Sequence, residues 1–93
     1  MVQAKGILVE SLSGYRPEFD GLVRGWIADR VGYVAVVGVD CEKLEEIVDE
    51  ICVGDGSKPY MMLTTSHPDV TTQEAIGLIR QISEERPLEI IRF

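Results

Sequence analysis

The run Tyr33-Val34-Ala35-Val36-Val37-Gly38-Val39, passing directly into Asp40-Cys41, decides how this chain folds. It is almost wholly apolar and rich in β-branched residues, which predicts a central strand covered on both faces. Leu44, Ile47, Val48 and Ile51 then recur at the three-four spacing of one buried helical stripe, so a helix is expected from about Cys41 to Cys52. Asp40, just ahead of it, reads as the N-cap.

The same strand-to-helix step recurs downstream. Tyr60-Met61-Met62-Leu63 runs into Thr64-Thr65-Ser66-His67, with the strand expected over residues 60–65. Thr71-Thr72-Gln73-Glu74 matches a capping box opening a third helix, whose inward face is Ala75, Ile76, Ile79 and Ile82. Gly77 costs ~1 kcal/mol against alanine in a helix, so it reads as a point of close packing. Upstream, Ile7-Leu8-Val9 forms a first strand, extending over about 5–10. A helix then starts at Pro17 and buries Phe19, Leu22, Val23, Trp26 and Ile27. Pro87 ends the third helix, and Leu88 to Phe93 supplies a fourth strand.

The order is βαβαβαβ. Helical crossovers join parallel strands with right-handed connections. The expected fold is therefore a single small α/β domain: a three-layer α/β/α sandwich of four mostly parallel strands and three helices, with Rossmann- or flavodoxin-like topology. The expected strand order is 2-1-3-4, by analogy with flavodoxin-like sheets, with an antiparallel fourth strand as the alternative.

Composition narrows the function classes. Acids outnumber bases 16 to 9 and the net charge is −7, so phosphate backbones are repelled and nucleic-acid binding is disfavoured. Glu42, Glu45, Glu46, Asp49 and Glu50 crowd one segment with only Lys43 between them, either as a solvated helix face or as a docking face for a basic partner. No apolar run reaches the ~20 residues of a membrane span, and Met1 to Gly6 lacks the apolar stretch of a secretory signal, so a cytoplasmic location is expected. Cys41 and Cys52 would stand ~16 Å apart along a helix, too far to bridge, in keeping with a reducing compartment.

With parallel strands, the carboxyl ends share one rim, where α/β domains hold their ligands. The residues expected there are Glu10 and Ser11, then Asp40 and Cys41, then Thr64, Thr65, Ser66 and His67. Cys41 at an expected helix N-terminus reads as a candidate nucleophile, and His67, the only histidine, as a base that could pair with it. The threonines and Ser66 offer hydrogen bonds to a bound ligand. Against this stand plainer roles: Cys41 as a buried filler, Asp40 as a cap whose charge opposes thiol ionisation, His67 as a loop residue. Gly54 to Lys58 precedes a strand and lacks the spacing of a phosphate loop. One histidine and two distant cysteines cannot build a structural zinc site, and no dinucleotide fingerprint follows the first strand, so no metal or cofactor is expected.

The segments Gly38-Val39-Asp40-Cys41 and Thr64-Thr65-Ser66-His67, with Trp26 on the helix before the first of them, resemble an uncharacterised family of small bacterial α/β proteins with G-x-D-C and T-T-x-H strand ends. The resemblance spans roughly residues 20–80. It implies that Asp40, Cys41, Thr64, Thr65 and His67 form a recurring rim, and it implies no activity. The chain departs from that pattern in a short C-terminus and in Ser66, where the family carries a tryptophan.

Three functions are compatible with these residues. The favoured one is a binding or regulatory module that recognises a protein or small-molecule partner at the rim without turnover. The alternatives are a small enzyme using Cys41 as nucleophile and His67 as base, and a self-associating structural domain forming a homodimer.

Overall fold

A computed structural model describes residues 5–82 and 87–93. Four strands and three helices alternate: β1 (Gly6–Ser11), α1 (Glu18–Ala28), β2 (Tyr33–Gly38), α2 (Cys41–Val53), β3 (Leu63–His67), α3 (Thr72–Ile82) and β4 (Leu88–Arg92). All strand pairings are parallel, including β1 with β4. The chain is a small α/β domain in three layers.

The sheet order is β3-β2-β1-β4, which corrects the expected 2-1-3-4. The physical reason lies in the strands themselves. β1 and β2 are the two apolar strands and are buried along almost their whole length, so they take the centre. β3 reads Leu-Thr-Thr-Ser-His and is at best half-buried, so it is an edge strand and cannot lie inside the sheet. Handedness completes the argument. α1 and α2 lie on the same face, so two right-handed crossovers step in one direction, from β1 to β2 to β3. α3 lies on the other face and carries the chain back across the sheet to β4.

Each face has its own core. Ile7, Val9, Val34 and Val36 meet Phe19, Val23 and Trp26 of α1 and Leu44 and Val48 of α2. Leu8, Tyr33, Ala35 and Val37 meet Ala75 and Ile79 of α3. The Phe19 ring stands edge-on to Trp26 at 5.8 Å and against Phe93 at 5.2 Å. The Arg16 guanidinium lies 4.2 Å over the Phe93 ring and donates to the Phe93 carbonyl at 3.2 Å, tying the end of β4 to the β1–α1 loop. The inward position of Ile82 lies outside the described side chains.

Local sequence signals are realised unevenly. The capping box of α3 forms in both directions: Thr71 N–H donates to Glu74 Oε1, and Glu74 N–H to Thr71 Oγ1, each at 3.1 Å. Asp40 precedes α2 without a side-chain capping bond, because it adopts a left-handed backbone with φ of 56° that turns its carboxylate away. Gly77 is not a point of close packing, since a β-carbon there would meet open space. β3 starts at Leu63 rather than Tyr60, because the segment before it is held elsewhere: Tyr60 N–H bonds the Cys52 carbonyl at 2.8 Å and its hydroxyl bonds the Val31 carbonyl at 2.6 Å.

Candidate functional site

The topology creates one switch point. At the carboxyl ends of the neighbouring strands β2 and β3, the chain leaves toward opposite faces, to α2 and to α3. Open α/β sheets bind ligands in the crevice that such a divergence leaves. Here the crevice is an open pocket of about 250 Å³ lined by Gly38, Asp40, Cys41, Glu42, Lys43 and Pro68.

Its walls follow from two unusual backbone positions. Gly38 has φ of 93°, and a β-carbon there would run into the Ser11 carbonyl oxygen, so the end of β2 lies directly against the end of β1. Asp40 takes the left-handed conformation two residues later. Between them the chain turns sharply enough to start α2 at the mouth of the pocket. The first helical bond runs from Leu44 N–H to the Asp40 carbonyl at 2.9 Å, so the N–H groups of Cys41, Glu42 and Lys43 have no partner inside the helix. They form the electropositive end of α2. The Lys43 ammonium leans over the Tyr15 ring at 5.5 Å.

The residues expected on the rim divide into three groups. Asp40 and Cys41 line the pocket; Cys41 is 3% exposed and its side chain packs in the core of the α1/α2 face. Glu10, next to last in β1, stands on the α3 face, where it accepts a hydrogen bond from the Thr72 hydroxyl and pairs with Arg92 at 3.2 Å. Ser11, the last residue of β1, is buried and accepts a hydrogen bond from the Gly14 N–H at 3.2 Å. The third group belongs to β3. Thr64, Thr65, Ser66 and His67 lie within this strand, opposite Val34, Ala35, Val36 and Val37, rather than beyond its end. Strand alternation sends them to different faces. Ser66 bonds Glu45 of α2 at 2.8 Å, whereas Thr65 and His67 face the α3 side. There Tyr33 Oη, Thr65 Oγ1 and His67 Nε2 form a chain of 3.0 and 3.1 Å contacts. Cys41, the first residue of α2, and His67, the last of β3, thus carry their side chains on opposite faces of the sheet, and no hydrogen bond joins them.

Sequence reasoning missed Lys43 in the pocket, Thr72 and Arg92 around Glu10, and Tyr33 at the start of the hydroxyl chain. Lys43 was visible as the sole base of the first turn of α2. Arg92 beside Glu10 depends on strand register, which places Arg92, Glu10, Val37 and His67 in one row across four strands, and Thr72 and Tyr33 depend on the face to which α3 packs. Among the described residues, no group of three His, Cys, Asp or Glu is arranged to hold a metal ion, and no helix is long and apolar enough to cross a membrane.

Comparison with known proteins gives a family without an activity. The family model described as Domain of unknown function (DUF7684) matches residues 7–91, and the chain belongs to that family. No curated protein and no solved structure matches it.

Proposed function

We propose that this member of the family is a binding or regulatory module that holds a small polar ligand in the pocket between β2 and β3, without turnover. One observation carries this reading: the pocket coincides with the switch point of the sheet, and the unpaired N–H groups of the first turn of α2 open at it. Such donors select ligands with acceptor oxygens. Asp40 and Glu42 flank them and the whole chain carries a charge of −7, so multiply charged anions are disfavoured. A monovalent carboxylate or a zwitterion balances both conditions. His67 and Thr65, on the strand that ends beside Pro68, form the neighbouring polar surface.

The enzymatic reading has less support. The Cys41 thiol is withdrawn into the α1/α2 core, and the His67 imidazole is engaged with Thr65 on the other face. A cytoplasmic setting suits the two free, buried cysteines.

A titration of the ¹⁵N-labelled protein with acetate, glycine and inorganic phosphate tests the proposal. Saturable shifts of the Cys41, Glu42 and Lys43 amides are expected with acetate or glycine, stronger than with phosphate, and Lys43→Ala should weaken them several-fold. Shifts absent from the first turn of α2, or unchanged by Lys43→Ala, would overturn it.

A further inference from the structure

The two edges of the sheet are built differently. β4 carries Glu89 and Arg92, and these are paired with Lys5 and Glu10; charges of this kind protect an edge against pairing with another chain. β3 carries no Lys, Arg, Asp, Glu or Pro, and no described strand lies on its outer side. Its bonding to β2 starts with Leu63 N–H to the Gly32 carbonyl at 3.1 Å, so the alternate residues Thr64 and Ser66 turn their N–H and C=O groups outward. Met61 and Leu63 stand beside this edge 88% and 63% exposed.

The helix above the edge is acidic on the matching side. The Ser66 to Glu45 hydrogen bond fixes which side of α2 overhangs β3. Glu42 and Asp49 share that side, three residues before Glu45 and four after it. Lys43 leans the other way, over Tyr15. Helix stability does not explain the acids toward the far end of α2. Its last turn holds no base, and the helix dipole disfavours negative charge there.

We propose that the open edge of β3 takes up an extended basic segment of a partner protein as a fifth strand. Main-chain bonds form at Thr64 and Ser66. Alternate side chains of the added strand meet Glu42, Glu45 and Asp49 on one face and Leu63 on the other. A second copy of the chain suits this edge less, because pairing β3 with β3 brings two acidic α2 helices together. The surface shares only Glu42 with the pocket between β2 and β3, and the proposal stands independently of ligand binding there.

Fluorescence anisotropy at 150 mM NaCl, with a labelled nine-residue peptide alternating lysine and valine, tests it against a counterpart alternating glutamate and valine. Saturable binding of the lysine peptide is expected, at least tenfold tighter than the glutamate peptide, with slowed amide exchange at Thr64 and Ser66. Thr64→Pro removes an outward donor where an edge strand tolerates proline, and should weaken binding at least tenfold with an unchanged melting curve. The double variant Glu45→Lys, Asp49→Lys should do the same without altering the backbone of β3. No saturable binding, equal affinity for both peptides, or exchange protection on β4 would overturn the proposal. So would a dimer in sedimentation that Thr64→Pro dissociates, which assigns the edge to a second copy.

Discussion

Two glycines show how much a single position depends on what surrounds it. Gly38 combines a positive φ with a direct approach to the Ser11 carbonyl, so Gly38→Ala is expected to cost about 1–3 kcal/mol from backbone strain alone. Gly77 faces open space inside a helix, so Gly77→Ala should stabilise by about 0.5–1 kcal/mol. Urea midpoints of the two variants should therefore move in opposite directions, and equal shifts would contradict the geometry. Cys52 gives a residue-level prediction in pH. Burial, with a smaller contribution from the Asp49 charge, pushes its thiol above the ordinary range. The unfolded chain then releases this proton first. The contribution to stability is present below the ordinary thiol pKa of about 8.5 and is lost as pH rises through the folded value. Urea midpoints from pH 8 to pH 10 should fall more steeply for the parent than for Cys52→Ala.

At the scale of elements, periodicity spoke clearly for helices and poorly for the ends of strands. Phe19, Val23 and Trp26 are the buried face of α1, as their spacing predicts, and Leu44 and Val48 are that of α2. Trp26 is 6% exposed and its indole packs edge-on to Phe19. Trp26→Ala should cost about 3–5 kcal/mol and lower Tm by more than ~10 °C. A melting point within a few degrees of the parent would mean that α1 does not anchor the core. β3 was harder to read. Tyr60-Met61-Met62 has the composition of a strand, yet Met61 is almost fully exposed and the ladder begins at Leu63. Hydrogen bonds from Tyr60 to residues distant in sequence draw this segment out of the sheet, and no local pattern contains them. The shift matters for the candidate site, because it moves Thr64, Thr65 and Ser66 from the rim into an edge strand.

For the whole molecule, charge is the dominant long-range quantity. Against a net charge of −7, the described residues form three ion pairs, all at least partly exposed. The screening length falls from ~30 Å at 0.01 M salt to ~8 Å at 0.15 M, crossing the 12.6 Å radius of gyration. Self-repulsion should therefore dominate at low salt, and Tm should rise as sodium chloride increases from 10 to 150 mM. A falling Tm would show that the ion pairs outweigh the repulsion. The sequence by itself determined the element order, the parallel βαβ units and the buried helix faces, because hydrophobic period and capping chemistry act over a few residues. It also held the cue to the central strands, in the apolar β1 and β2 against the polar β3. Only the tertiary structure decided the strand order, the register, and the face on which each rim residue stands. A one-residue step along a strand reverses a side chain, and the choice of face for each crossover helix depends on which apolar stripes meet across the sheet. That is why Asp40 and Cys41 share a pocket with Pro68, while His67, next to Pro68 in the chain, turns to the opposite face.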